Sequence, residues 1–263
     1  MRKDAIELEE SRVAVTAPPE KHPPLMERHC VFPSIFENRN HHKILDLSAG
    51  LGYVTQRLIE SYPATIISHD ISPSCLMNLR QLKAPTLSFD IDNSNAGFPF
   101  ASASFDAVIS LVTIEHVLFA NEFLSEIRRI LCPEGYLYIS TPNYAAPEYL
   151  IGPVFRGRSF HDPFTTSSGY EFYAHVRYYT FRTLKDFLET HGFVLDTVYL
   201  TTPRSSERYL KLKQQSRLKA LIYKSLTWLK VNLLPPDRNP EPILCLQKTA
   251  IPSPSRHCRK VVL

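Results

Sequence analysis

The sequence predicts an α/β fold in which helices cover both faces of a mostly parallel sheet. Short apolar runs alternate with amphipathic stretches of helical length between residues 44 and 200. The first apolar run leads into a glycine-containing turn, Ser48–Gly52, and then into a helix. A strand, a glycine turn and a helix in this order form the first unit of a nucleoside-binding sheet of Rossmann type.

The predicted elements follow one another in the order that such a sheet requires. Five strands alternate with helices, and a further helix then leads to a closing pair of strands. We place the strands at 44–47, 64–69, 86–89, 106–111, 136–140, 193–200 and 243–247. We place the helices at 53–61, 74–82, around 123–131 and at 181–191. Two helices have a predicted N-cap, which is Ser72 or Ser74 for the second and Thr180 for the fourth.

The composition is that of a globular protein with one main domain. Of the 263 residues, 44% are hydrophobic and 21% are charged, which excludes wholesale disorder. We expect residues 1–40 to form a proline-spaced leader that is partly disordered. Residues 41–250 form the domain, and the Pro/Ser/Arg-rich residues 251–263 are predicted to be a disordered tail.

Cysteine usage and hydropathy indicate a cytoplasmic protein. The five cysteines are widely spaced and form no C-x-x-C pair, so neither a disulfide framework nor a metal site is predicted. No apolar run approaches the length of about 18 residues that a membrane span needs, and the charged N-terminus lacks a signal-peptide core. The charge is uneven, since 201–263 carry a net +10 and 1–200 a net −6.

The glycine turn departs from a dinucleotide-binding fingerprint. Ser48 holds the first glycine position, and Val54 and Thr55 follow Gly52 where a third glycine would fall. A dinucleotide pyrophosphate needs a close backbone approach at this helix N-terminus, whereas a ligand without phosphate does not. The turn therefore favours S-adenosylmethionine over NAD. We expect it to let the amino-acid part of the ligand lie against the backbone at Gly50 and Gly52.

Polar residues stand at the C-terminal ends of the predicted strands, where open α/β sheets bind ligands. These residues are Asp46, Asp70, Asp90 and Ser110. Asp70 is suited to accept hydrogen bonds from ribose hydroxyls, and Asp90 from the adenine amine. We expect Ile71 to cover an adenine face and the Ile91 N–H to donate to a ring nitrogen. Helix capping would explain either acid alone, but their order beside the glycine turn favours a ligand site.

With these motifs, residues 43–199 resemble the class I S-adenosylmethionine-dependent methyltransferases, especially the small-molecule branch that includes ubiquinone-biosynthesis methyltransferases. The resemblance rests on an ordered set of short motifs at 44–52, 69–72, 98–100, 104–108, 114–117, 126–135 and 139–143. It implies a Rossmann-like, seven-stranded sheet with an antiparallel last strand. It also implies that Asp46 and the glycine turn hold the methionine part of the cofactor, Asp70 the ribose, and Asp90 with Ile91 the adenine.

One position departs from the family pattern and leaves an alternative open. Ser48 supplies a Cβ where the family usually has glycine and where the backbone passes close to the ligand. The chain is therefore expected either to transfer a methyl group or to be a non-catalytic adenosyl-binding scaffold. Intact Gly50, Gly52, Asp70 and Asp90 favour the enzyme.

The acceptor side is predicted from the residues after the fourth strand and from the long segment 142–180. The Asn/Asp-Pro-Pro-Tyr/Phe motif of amino methyltransferases is absent after the fourth strand, which argues against methylation of nucleic-acid bases. His175 is our first candidate for a general base and His161 the second. Glu115 and His116 either shape the pocket floor or take part in catalysis. For any single histidine, an exposed or structural role is the stronger interpretation and catalysis the weaker one.

The segment 206–234 is predicted to be a basic amphipathic helix between the last two strands. It contains the single tryptophan of the chain, Trp228, with leucines interleaved with lysines and arginines. Such a helix either lies on a membrane surface or packs on the domain with a solvated cationic face.

Together, these features predict a methyltransferase acting on a small-molecule or lipid-linked acceptor, at oxygen. The protein is expected in the cytoplasm, free or peripheral to a membrane, and a nucleic-acid partner is the weakest alternative.

Overall fold

The computed structural model describes residues 6, 7, 9, 10, 13, 27–93, 95–158, 161, 174–202, 207–250 and 258–263. Its strands are β1 Lys43–Leu47, β2 Thr65–His69, β3 Thr86–Leu87, β4 Phe105–Leu111, β5 Leu131–Ser140, β6 Phe193–Leu200, β7 Ile243–Lys248 and β8 Arg259–Val262. Its helices are α1 Glu27–Cys30, α2 Tyr53–Ser61, α3 Pro73–Gln81, α4 Ala120–Ile130, α5 Pro147–Arg156, α6 Phe181–Thr190, α7 Glu207–Gln215 and α8 Arg217–Leu233. Short 3₁₀ turns lie at Ser34–Phe36, Ile114–His116 and Pro236–Arg238.

The strands form one mixed sheet in the order β3-β2-β1-β4-β5-β7-β6-β8. Strands β1 to β5 pair in parallel, and β7 lies antiparallel between β5 and β6. Apolar side chains that alternate along the strands pack in two buried clusters, which lie on opposite faces of the sheet. The Rossmann-like α/β fold with an antiparallel strand is thus confirmed. Among the described helices, none has both the length and the apolar character that crossing a membrane requires.

The sheet has one strand more than the seven that we predicted. Strand β8 pairs in parallel with the outer edge of β6, and the Leu263 N–H donates to the carbonyl of Leu200 at 2.8 Å. The prediction of a disordered tail over 251–263 is therefore wrong for 259–262, while 251–257 lie outside the described residues. The reason is that the apolar end of the chain satisfies backbone groups on β6 that an edge strand would leave unpaired.

The N-terminal boundary of the domain also differs from the prediction. Phe32, Ile35 and Phe36 are fully buried and join the same cluster as Tyr138 of β5. Their i, i+3, i+4 spacing places the three side chains on one side of a turn, against the sheet. Residues from 31 onward thus belong to the domain core, although we assigned 1–40 to a leader.

Helix boundaries follow the predicted caps closely except in the basic segment. The Ser72 hydroxyl accepts from the Cys75 N–H at 3.1 Å and caps α3, and Thr180 caps α6 with a reciprocal bond to Thr183. The single helix predicted at 206–234 is broken into α7 and α8 at Ser216. Ser216 has extended backbone angles, and its side chain accepts from the Lys219 N–H at 3.4 Å, so it caps α8 instead of continuing α7.

Candidate functional site

The predicted cofactor residues meet at the carboxyl edge of β1, β2 and β4. The glycine turn after β1 has left-handed backbone angles at Ser48, Gly50 and Gly52, with φ of 60°, 58° and 85°. A Cβ on Gly52 would lie 2.7 Å from the Leu82 side chain, and the φ of 85° also favours glycine there. Among the described residues, a Cβ on Gly50 would meet nothing within 4 Å, so Gly50 borders open space in this part of the structure. The turn therefore leaves room beside Gly50 for a ligand.

His69, which the sequence analysis did not single out, supports the unusual serine in the turn. The Ser48 N–H donates to His69 Nδ1 at 3.3 Å, and His69 Nε2 donates to the Phe89 carbonyl at 2.8 Å. Burial lowers the pKa of His69 to about 4, so the ring is neutral and carries its proton on Nε2. The signal in the sequence is a histidine at the end of β2, directly before Asp70.

Asp70 joins the glycine turn to the start of α3. Its side chain is buried, with one carboxylate oxygen accepting from the Gly50 N–H at 2.8 Å and the other from the Ser72 N–H at 2.9 Å. The acid is therefore a loop-organising group, as the capping interpretation holds. Each carboxylate oxygen has two lone pairs and is therefore able to accept more than one hydrogen bond.

Asp46 lies under the turn at the end of β1. Its carboxylate accepts from the Thr55 hydroxyl at 2.6 Å, and Thr55 also contacts the Ser68 hydroxyl at 3.0 Å. Burial, helped by the charge of Asp70, raises the pKa of Asp46 to about 6. A buried acid with few partners beside an open turn is suited to a cationic ligand group.

The residues predicted to surround the adenine are half-buried at the next strand ends. Asp90 accepts from the Asp92 N–H at 3.0 Å, which forms a local turn, and Ile91 packs on the core. Ile71 is also half-buried. On β4, the fully buried Ser110 hydroxyl has no hydrogen-bond partner among the described residues. The open space at Gly50 and this unpartnered hydroxyl fit a bound adenosyl ligand at the edge.

The three predicted histidines come together on the acceptor side, and Tyr144 links two of them. The Tyr144 hydroxyl lies 2.7 Å from His161 Nε2 and 2.8 Å from His175 Nδ1. The His175 ring lies 4.7 Å from the His116 ring, and His116 Nδ1 lies 3.1 Å from the Ala174 carbonyl. Burial, with the two neighbouring histidines, lowers the pKa of His175 to about 3, so this ring is neutral. The rest of the predicted 142–180 segment, 159–160 and 162–173, lies outside the described residues.

Glu115 holds the segment that carries His175. Its backbone carbonyl accepts from the Val176 and Arg177 N–H groups at 2.9 and 3.2 Å. Its side chain is fully buried and accepts from the Thr141 hydroxyl at 2.8 Å. Burial raises the pKa of Glu115 to about 8, so the carboxyl is protonated at neutral pH.

Glu115, His116 and His175 are also arranged so that one ligand atom of each lies within 4.8 Å of the others. This spacing is compatible with a metal ion. A carboxylate must be deprotonated to bind a metal, however, and burial opposes that ionisation here. Our expectation of no metal stays a prediction.

A cavity of about 170 Å³ lies next to this cluster, at the carboxyl edge of β6 and the start of β7. Its lining includes Arg28, Tyr149, Thr227, Lys230, Asn239 and Glu241. Glu241 pairs with Arg28 at 2.7 Å and accepts from the Ser140 hydroxyl at 3.3 Å. Ser140 is followed by Thr141, whose hydroxyl donates to Glu115. Glu115 lies beside His116 and His175, so the cavity is close to His116, His161 and His175, which we call the histidine cluster.

Comparisons with known proteins show which proteins this chain is similar to. Residues 45–139 match the family model described as "Methyltransferase domain". The chain is 28% identical over 114 residues to demethylmenaquinone methyltransferase of Tropheryma whipplei, covering 43% of this chain and 46% of that protein. It is 29% identical over 102 residues to malonyl-[acyl-carrier protein] O-methyltransferase of Halorhodospira halophila, covering 38% and 34%. The alignment thus spans less than half of either relative.

A solved structure has a similar fold. Phosphoethanolamine N-methyltransferase 2 of Haemonchus contortus, in complex with S-adenosyl-L-methionine, superposes with a TM-score of 0.56 at 17% identity, covering 84% of this chain and 52% of that chain. At this identity the likeness concerns the fold alone. The predicted recognition is confirmed, and the family model and the curated relatives support a methyltransferase as the enzyme class and S-adenosylmethionine as the cofactor. Residues 45–139 thus match a methyltransferase domain, and the chain is similar to class I S-adenosylmethionine-dependent methyltransferases.

Proposed function

We propose that this chain transfers a methyl group from S-adenosylmethionine to an oxygen of a small-molecule or lipid-linked acceptor. The observation that carries the proposal is the cradle at the carboxyl edge, where Asp70 binds the N–H of Gly50 beside open space. Asp46 would hold the methionine part, Asp70 the ribose, and Asp90 with Ile91 and Ile71 the adenine. When bound, the cofactor supplies an electrophilic methyl group, and the protein supplies position and proton transfer.

Oxygen is the proposed target because the acceptor side offers a neutral imidazole, that of His175, as a proton acceptor. A hydroxyl or carboxyl acceptor loses a proton as it is methylated, and a neutral imidazole is able to take that proton. We assign this role first to His175 and second to His161, with His116 shaping the floor beside them. The Tyr144 hydroxyl, within 2.8 Å of both candidate bases, would hold or relay the proton. The Halorhodospira relative is named as an O-methyltransferase, which agrees with this target.

The alternative of a non-catalytic scaffold depended on Ser48. Ser48 adopts the same left-handed conformation as Gly50, and its N–H is satisfied by His69. No observation therefore favours loss of catalysis over activity.

A lipid-linked acceptor and peripheral membrane contact through 206–234 are part of the proposal. The Tropheryma relative is named as a demethylmenaquinone methyltransferase, which is compatible with an apolar acceptor. The cavity beside the histidine cluster is lined by Thr227 and Lys230 of α8, the main helix of the basic segment. A membrane-bound acceptor would thus be close to the proposed base.

Calorimetric titration with S-adenosylhomocysteine, followed by release of labelled methyl groups with a panel of hydroxyl and carboxyl acceptors, tests this function. We expect saturable binding and transfer to an oxygen acceptor. Asp70→Asn should weaken binding, whereas Glu122→Gln, a change at an exposed acid of α4, should not. A folded protein that binds no S-adenosylhomocysteine would contradict the proposal. Binding without transfer to any acceptor would favour the scaffold instead.

A further inference from the structure

Helix α8 packs on the domain with one narrow side and leaves most of its large apolar side chains exposed. Its buried residues are Ala220 and Val231, and half-buried Tyr223 and Thr227 lie on the same side of the helix. Each residue adds about 100° around a helix axis, so the opposite side carries a broad apolar stripe. The stripe comprises Leu218, Leu221, Ile222, Leu226, Trp228, Leu229 and Leu233, all exposed, with Leu218 at 65% and Leu233 at 71%.

Positive charges border this stripe on both sides. On the same helical projection, Arg217 and Lys224 flank one edge and Lys219 and Lys230 the other. The sequence of α8 contains no aspartate or glutamate. An apolar stripe between two cationic borders is the pattern of a helix that lies in a bilayer surface, where lysine and arginine reach anionic headgroups. A helix whose leucines packed on the domain would show the opposite arrangement.

Helix α5 extends the same surface. None of its residues is buried, and Leu150, Ile151, Val154 and Phe155 are exposed, Val154 at 68% and Phe155 at 80%. Lys230 of α8 forms an ion pair with Glu148 of α5. Tyr149 of α5 and Thr227 of α8 line the same cavity. The exposed apolar side chains of these two neighbouring helices thus form a larger apolar patch than single scattered surface residues would form.

We infer that α5 and α8 together form a docking surface for an anionic lipid bilayer. The occupant is a bilayer because the surface combines exposed leucine, phenylalanine and tryptophan with cations and lacks acids on α8. The inference rests on the proposed function and deepens it. The cavity between the two helices lies beside the proposed base, so an acceptor held in the membrane reaches the site without leaving the bilayer surface.

Trp228 allows a direct test, because it is the only tryptophan of the chain and is 56% exposed on the stripe. The full chain is mixed with phosphatidylcholine vesicles that contain or lack phosphatidylglycerol. We expect co-sedimentation and a blue shift of tryptophan emission with the anionic vesicles. High salt should weaken both, because the cationic borders contribute to binding.

Two variants and a matched control separate the contributions of the two helices. Val154→Ser with Phe155→Ser should weaken vesicle binding on the order of tenfold, since both side chains are apolar and exposed. Lys219→Gln with Lys224→Gln should remove the preference for anionic lipid. Ile59→Ser with Met77→Ser removes exposed apolar residues from α2 and α3, which lie outside the surface, and should leave binding unchanged.

Several outcomes would overturn the inference. One is a protein that binds S-adenosylhomocysteine but neither sediments with anionic vesicles nor shifts its emission; the proposed function would then stand without the docking surface. Another is a concentration-dependent dimer, measured by sedimentation velocity, that Leu218→Ser with Leu226→Ser abolishes while vesicles do not bind. That result would assign the stripe to a second copy of the chain. Equal loss of vesicle binding in the control variant would also contradict the assignment to α5.

Discussion

The backbone N–H of Gly50 donates to the carboxylate of Asp70 at 2.8 Å. This bond joins the ends of β1 and β2, which are separated in the sequence by helix α2. It fixes the turn beside the open space at Gly50 before any ligand arrives. The turn proposed to hold the cofactor is therefore organised by Asp70, an acid for which the sequence left both ligand contact and a capping role open.

Replacing Asp70 should weaken both cofactor binding and the fold. In Asp70→Ala, both the Gly50 and the Ser72 N–H groups lose their charged acceptor. A hydrogen bond to a charged group contributes about 1.5–3 kcal/mol, so loss of one such bond from Asp70 to a ribose hydroxyl should raise the Kd for S-adenosylhomocysteine by about tenfold to a hundredfold. Calorimetric titration measures this change, and thermal unfolding without ligand reports the fold. An unchanged Kd would refute the role of Asp70.

Ser48 should tolerate glycine and reject a β-branched residue. At a φ of 60°, a side chain costs about 1 kcal/mol relative to glycine. Ser48→Gly should therefore raise the free energy of unfolding by up to about 1 kcal/mol, and Ser48→Val should lower it by more than that. Urea unfolding of the three proteins measures the difference. We expect S-adenosylhomocysteine affinity to be retained in the glycine variant; a large loss would mean that the serine side chain itself binds the ligand.

Glu115 should make the stability of the protein depend on pH. Its pKa is raised by burial from 4.5 to about 8, so the folded state binds the proton more tightly than the unfolded state does. Stability contributed by this group is therefore present at low pH and is lost as the pH rises from about 4.5 to about 8, on the order of 1 kcal/mol per pH unit.

Glu115→Gln keeps an acceptor for Thr141 but cannot ionise, so it isolates this effect. The stability of the glutamine variant relative to the original protein should grow with pH across that window and level off above it. Urea unfolding at several pH values measures both proteins. Parallel pH profiles would show that Glu115 does not titrate in this way, since the other buried groups are common to both proteins.

The Tyr144–His175 pair should affect turnover rather than cofactor binding. His175→Gln removes the proposed base and should lower kcat by about a hundredfold. Tyr144→Phe breaks its contacts with both His161 and His175 and should lower kcat by about tenfold. Methyl transfer to the acceptor found in the panel gives kcat, and calorimetry should show S-adenosylhomocysteine affinity unchanged.

The control for this pair is His42→Gln, a histidine that is exposed beside β1 and far from the cluster along the chain. It should retain full activity. If His175→Gln also retained it, the base would have to be sought elsewhere in the site.

Local patterns in the sequence were sufficient to predict the core of the fold. Caps such as Ser72 and Thr180, and the strand-turn-helix pattern at Ser48–Gly52, are determined by neighbouring residues. Strand β8 escaped prediction because its pairing with β6 bridges some sixty residues, and no local pattern encodes such a contact.

The difference between local patterns and long-range contacts also explains which parts of the candidate site could be predicted. The strand-end acids were predicted because parallel strands bring their carboxyl ends to one edge. The link from Tyr144 to His161 and His175 depends on how a long segment folds back, which spacing alone does not determine. The outward apolar face of α8 was hidden for a related reason. A helical projection shows which residues share a face, but only packing shows which face is buried.

The bond between Ser48 and His69 has a consequence for how such chains are recognised. The turn keeps its left-handed shape without a glycine at 48 because a residue at the end of the neighbouring strand holds it. The informative unit is then a pair of positions, one in the turn and one at the end of β2, and not the turn alone. A search pattern that demands glycine at the first position would discard chains of this kind, whereas one that also accepts a small polar residue together with a strand-end histidine would retain them.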